Sequence, residues 1–347
     1  MNLRFSLILL ILGSWIAVGA AFIVDSGFGE EEREPDPPFF YNIPVDQITN
    51  IVLQTEGQTQ GFHYREEVTR WFLDDQQDVP ADLFRWGGIT TLLGGPRTQR
   101  VVQDNIEDPA AFGLDNPSSR YEVTLVDGSK RVLLIGNVNA SGESTYAQME
   151  GYNQLVLVDT SWSNVLDRLV TEPPYPEWLY ELNPDEVREV LLFENNEIVH
   201  AYGINRETDT FNACDLPVLN NPCTGTQPVD AEAFQAALDL IADHHILGAE
   251  ALNLQQESDF GPYGTDRDAP YFAIQVERPG STSNVTEVHQ VSMAIGDVTP
   301  DGNARYAVAN DTMDVIRIDR AWADQILELF GEEDALAGAP VTPTPAP

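Results

Sequence analysis

The sequence predicts an α+β protein built from two tandem repeats of a largely antiparallel sheet with two helices each, behind one N-terminal transmembrane helix. Three observations carry that expectation. Residues 136–147, GNVNASGESTYA, are matched by residues 296–307, GDVTPDGNARYA. Each stretch follows an apolar run ending in isoleucine (Ile135, Ile295) and precedes a second apolar run, then Asp and Trp three apart (Asp159 and Trp162, Asp319 and Trp322). Short runs of alternating apolar residues separated by turn residues recur along both halves, the period-two signature of half-buried strands. Finally, residues 5–24 carry no charge.

Taken in order, that uncharged stretch spans about 30 Å as a helix, enough to cross a hydrocarbon core. Arg4 precedes it, and Asp25 with Glu30, Glu31 and Glu32 follows. The positive-inside rule then leaves the rest of the chain on the extracytoplasmic side. The rival reading is a cleaved signal peptide, for which Val18-Gly19-Ala20 is an acceptable small-residue site. Residues 1–24 are therefore read as a membrane anchor or signal segment, and residues 25–38, acidic and proline-rich, as an extended stalk.

The first repeat domain is placed at residues 39–171. It opens with strands at 48–54 (ITNIVLQ) and 69–75 (TRWFLDD), followed by a helix starting at Pro80 and weakened inside by Gly87-Gly88. Strands at 98–103, 120–126 and 130–135 come next, the last two joined by Asp127-Gly128, a strong hairpin signal. After a turn at 136–142 come strands at 145–150 and 155–159. A closing helix then carries Trp162, Val165, Leu166 and Leu169 on one face.

The second repeat domain, residues 184–330, follows the same order. A strand at 186–193 leads to an amphipathic helix at 229–242 beside Asp230. Paired strands lie at 270–277 and 288–295, and again at 304–309 and 314–319. A final helix at 321–330 carries Trp322, Ile326 and Leu329. Residues 331–347, ending in APVTPTPAP, read as a disordered tail.

Composition limits the partners. The 347-residue chain has a formal charge of −38, and Lys130 is its one lysine. A field of that sign repels phosphate backbones, so no nucleic-acid partner is expected. Cys214 and Cys223 are the two cysteines, in a Pro/Asn-rich loop, CDLPVLNNPC. Outside the cytoplasm such a pair is expected to form a disulfide. A metal site would need two more ligands, and no His or Cys flanks the loop.

The segment Phe112-Gly113-Leu114-Asp115 before a strand, followed by the Ile135-Gly136 turn and Tyr146-Ala147, resembles a bacterial family known as domain of unknown function 4340. The resemblance covers residues 43–170 well and 184–330 more loosely, the second copy reading Tyr263-Gly264-Thr265 at the Phe-Gly-Leu position. It implies a membrane-anchored extracytoplasmic protein, often encoded beside ABC-type transporter permeases and gliding-type auxiliary subunits. A transporter permease is thus the partner it implies. The family supplies no catalytic residues to carry over.

No catalytic residue, cofactor or metal site is expected from the sequence. No GxSxG, HExxH, P-loop or CxxC pattern is present. The DVTPDGN turn at 297–303 has the fifth and sixth positions of a calcium loop but places Val308 where a bidentate Glu is needed. His244 and His245 are read as adjacent on a helix, and His63, His200 and His289 as standing alone. The residues singled out are structural: Gly113, Gly136, Tyr146 and Trp162 in the first copy, Gly264, Gly296, Tyr306 and Trp322 in the second. The expected role is a non-enzymatic accessory or scaffold subunit, the alternative being a solute- or glycan-binding protein using the cleft between the repeats.

Overall fold

The computed structural model describes residues 40–75, 79–205, 207–218, 223, 225, 227–279, 286–331 and 335–338. The fold is mixed α+β, with two antiparallel sheets and few helices. The first sheet contains β1 (Ile48–Thr55), β2 (Gln58–Arg65), β3 (Arg70–Leu73), β4 (Thr98–Gln103), β5 (Ser119–Leu125), β6 (Lys130–Val138), β7 (Ser144–Met149) and β8 (Leu155–Asp159). Its order is β3-β2-β1-β5-β6-β7-β8-β4.

The second sheet contains β9 (Val187–Glu194), β10 (Glu197–Asn205), β11 (Thr210–Ala213), β12 (Gln227–Pro228), β13 (Ile246–Ala251), β14 (Tyr271–Pro279), β15 (Thr286–Val298), β16 (Ala304–Ala309) and β17 (Val315–Asp319). Its order is β12-β11-β10-β9-β14-β15-β16-β17-β13, the first sheet's order with one short strand added at an edge. Registers agree as well. Ile135 pairs with Ala147 and, past a bulge, Val138 with Thr145; Ile295 pairs with Ala307 and Val298 with Arg305.

Alternation decides which face each strand buries. On β5, Tyr121 and Val123 point inward and are fully buried, as are Phe272, Ile274 and Val276 on β14. Asp127-Gly128 closes the β5–β6 hairpin with Gly128 at φ 79°. Asp82 starts the first helix by accepting hydrogen bonds from the Phe84 and Arg85 amides at 3.0 and 2.8 Å. The single helix expected from Pro80 is two short ones, α1 (Leu83–Trp86) and α2 (Ile89–Gly94). Gly87 ends the first, and Gly88, at φ 84°, sits ahead of the second.

Three longer helices follow: α3 (Thr160–Thr171), α4 (Ala231–Ala242) and α5 (Arg320–Glu328). Asp159, Asp230 and Asp319 cap them through backbone amides of their first turns. On α3, Leu166 and Leu169 are buried, whereas Val165 is exposed and not on the inward face as expected. His244 and His245 lie past the end of α4 rather than on it.

Of the strands the sequence left unread, β2 is polar, β11 and β12 are short and β13 lies at an edge, while in β10 (EIVHAYGIN) adjacent apolar residues break the alternation. The segment between the sheets packs: Trp178, Tyr180 and Leu182 are buried in one apolar cluster that includes Leu53 and Ile51 of the first sheet and Ile316 and Ile318 of the second. Past Gly331 the chain is not all tail, since Leu336 is buried and its carbonyl accepts the Asp230 amide at 2.9 Å. The anchor and stalk readings, residues 1–38, lie outside the described residues. Among the described residues no helix is long and apolar enough to cross a membrane.

Candidate functional site

The residues singled out in the sequence assemble into the same device twice. The Gly113 turn (φ 74°) packs on Gly136 so closely that a Cβ there would lie 2.1 Å from the Phe112 carbonyl oxygen. Phe112 and Tyr146 close over it with ring centroids 4.9 Å apart. In the second half Gly264 (φ 64°) packs on Gly296, whose Cβ would meet the Tyr263 carbonyl oxygen at 2.3 Å, and Tyr263 meets Tyr306 at 5.0 Å. Trp162 Nε1 donates to the Leu92 carbonyl at 3.1 Å and Trp322 Nε1 to the Leu240 carbonyl at 2.8 Å. Each tryptophan thus ties a closing helix to the chain of an earlier helix.

Cys214 and Cys223 form a disulfide with Cα atoms 6.1 Å apart. Cys223 crosses the second sheet at Gly203, where a Cβ would strike the Cys223 carbonyl. Beneath it lies Glu189, 1% exposed, whose Oε1 accepts the Cys223 amide at 2.6 Å while Oε2 has no partner. Burial raises the Glu189 pKa above the usual carboxylate range, the Cys223 amide opposing it.

The site that no motif announced lies where the two halves meet. Asp314, 3% exposed, stands just before β17 and faces Arg70 of β3, 4% exposed. The pair is bidentate: Arg70 Nη1 donates to Oδ1 at 3.2 Å and Nη2 to Oδ2 at 3.3 Å. Oδ1 also accepts the Asn253 amide at 3.1 Å, and Oδ2 the Trp178 indole at 3.3 Å. Arg70 also donates from Nε to the Ala81 carbonyl and from Nη1 to the Asn253 side chain. One carboxylate therefore binds the first sheet, the connecting segment and the second sheet. Tyr175 of the connector donates to Asp75, and burial together with that carboxylate pushes its pKa up to about 12.

Beside this clamp is a cleft of about 510 Å³ between β3 and β13, lined by Arg65, Thr69, Phe72, Glu250 and Asn253. His63 does not stand alone here. Its Nδ1 lies 2.6 Å from Asp74 Oδ1, and its Nε2 accepts from Arg65 Nε at 3.2 Å. Arg65 has no acceptor, so the proton of this ring sits on Nδ1, facing Asp74. The nitrogen a general base would use is occupied, and the Arg65 guanidinium rests 4.0 Å above the Phe72 ring. His244 likewise bonds the Tyr180 carbonyl at 3.0 Å and His200 the Gly331 carbonyl at 2.9 Å.

In the DVTPDGN turn Asp301 is engaged internally: its Oδ1 accepts from Thr299 Oγ1 and from the Asn303 amide. Among the described residues no group of three or more His, Cys, Asp or Glu could hold a metal.

No match is found among curated proteins, and none among solved structures. The profile of one family, described as a domain of unknown function (DUF4340), matches residues 71–267. That match is one continuous stretch from β3, through the connector and most of the second half's first strands, to the loop before β14. It does not appear as two separate copies. It contains Arg70's neighbours, the connector, the disulfide loop and Asn253, and covers more than half of the chain, which therefore belongs to the DUF4340 family.

Proposed function

We propose that this chain is a non-enzymatic, membrane-anchored extracytoplasmic accessory or scaffold subunit that binds a protein partner such as the permease of an ABC-type transporter. The observation that carries the reading is the clamp at Asp314, which joins two sheets and their connector into one body suited to holding a partner rather than to opening and closing. The disulfide supports an oxidising compartment, in keeping with residues 5–24 as the anchor. The recurrence of the 136–147 segment at an offset of 160 residues and the shared strand order support an origin of the halves as copies of one module.

Crosslinking in native membranes, followed by mild detergent extraction and mass spectrometry, tests this. Recovery of a permease at near-equal amount supports the reading; recovery of the chain alone removes it. A second reading, solute or glycan binding between the halves, is favoured by the cleft beside Phe72 and Arg65. A rise in melting temperature on adding soluble glycans, abolished by Thr69→Trp, supports that reading. Flat melts across the glycan panel count against it.

A further inference from the structure

The outward faces of the two sheets occupy matched registers and carry opposite chemistry. In the first sheet Arg120 lies opposite Gln54 and Leu134, and Glu122 opposite Val52 and Val132. Arg120 and Lys130 both pair with Glu122, closing that face with an ion network. In the second sheet Tyr271 occupies the place of Arg120, opposite Phe193 and Ala294, and Ala273 occupies that of Glu122, opposite Leu191 and Ser292. At these two places the ions are gone, an Arg188–Glu277 pair lying further along the same strands, and Tyr271 stacks on Phe193 with centroids 4.2 Å apart and planes within 8°.

The covering loops diverge in the same way. In the first half Ile106 and Leu114 pack against Leu155, Leu134 and Tyr146, and the face is filled. In the second half Thr265 follows the left-handed glycine where Leu114 does in the first, and Ala294 stands where Leu134 does. These smaller side chains leave a cavity of about 540 Å³ over Tyr271, Ser292 and Ala294, walled by Phe260, Leu254 and Met313. That volume lies within the range of small-molecule sites.

The rim indicates what fits. Gln255 donates its amide to the Asn253 carbonyl, Gln256 caps a turn with Asp259, and Thr312 donates to the Ala309 carbonyl. These three neutral groups are spent within the chain, while the side chains of Asn196, Gln290 and Ser292 also line the cavity. Charge remains: Glu257, Asp266 and Asp311 against Arg267. No ion pair joins these four among the described residues. Asp311 sits at φ 52° on the β16–β17 turn, where the first half has Gly151 at φ 85°, so a carboxylate is placed over the cavity at a position that favours glycine. It lies close enough to Tyr271 to help raise the phenol pKa, second to burial.

We infer that this cavity is a binding site for a small organic cation, an amine whose apolar or aromatic body lies over Tyr271 and Phe260 and whose charged head meets Asp311. The aromatic floor favours a cation by its quadrupole, and the chain's net charge of −38 concentrates cations near it.

The test is calorimetric titration of the full chain with four probes sharing one body: phenethylamine, 2-phenylethanol, phenylacetate and phenylalanine. The expected result is that phenethylamine binds about tenfold tighter than any of the others, with affinity falling as salt rises. Ala294→Leu, which installs the residue of the first half, is expected to remove binding while the melting temperature is kept. Asp311→Gly is expected to remove the preference for the amine over the alcohol. Equal binding of the alcohol, preference for the anion or zwitterion, absence of binding by all four, or an unchanged preference in Asp311→Gly each overturns the inference.

Discussion

Asp314 accepts four hydrogen bonds and carries the charge that pairs with the buried Arg70, so its removal strands a guanidinium, an indole and an amide at once. Breaking one side of a buried ion pair costs about 3–5 kcal/mol. Asp314→Ala is expected to lose that much in urea unfolding. Arg70→Met combined with Asp314→Ala should lose less than the sum of the two single changes, because the stranded charge goes too. Glu189 gives the opposite kind of case. Its folded-state pKa is raised, so its contribution is fully present below the ordinary carboxylate pKa and is lost as pH rises through the raised value. Glu189→Gln should therefore be more stable than the parent at pH 8, with the gap closing towards pH 4. A melting-temperature difference independent of pH would contradict this. Neither residue was legible in the sequence: with 56 acids in the chain, nothing marks these two as buried.

At the scale of elements, the disulfide belongs to the second half alone, and its Cys223 lies against β9 and β10 at Glu189 and Gly203. Closing a loop with a sequence separation of 9 restricts the unfolded chain by about 2–3 kcal/mol. Replacing both cysteines by serine should lower unfolding stability by that amount, with reductant giving a similar loss in the parent and none in the variant. The pair itself was legible from compartment and spacing, and so were the capped helices and the Asp127-Gly128 hairpin. The broken helix after Pro80 was half legible, since Gly87-Gly88 had already weakened it. The polar strands were not, because β2 reads QTQGFHYR and gains its strand state from pairing with β1 and β3 rather than from its own alternation.

At the scale of the whole molecule, the two sheets share one apolar cluster and one buried clamp, so unfolding of residues 39–338 is expected as a single transition. Differential scanning calorimetry should give a van't Hoff enthalpy equal to the calorimetric one. Two resolved transitions would mean that the halves unfold independently and that the clamp holds little. A single transition would distinguish the molecule from two independently folding domains on a linker, the repeat domains being expected at residues 39–171 and 184–330. Trp178, Tyr180 and Leu182 of that linker are core residues.

The sequence by itself determined the α+β class, the recurring turn with its packed glycines, the disulfide and the absence of an announced catalytic motif. All of these rest on local periodicity, turn chemistry or short spacing, which a chain carries in its neighbouring residues. Tertiary structure alone decided the Arg70–Asp314 clamp, 244 positions apart, and the choice between a filled face and an open one. Those depend on which distant side chains the sheet registers bring together. A Leu-to-Ala or Arg-to-Tyr difference between matched strands has no meaning until the pairing is known.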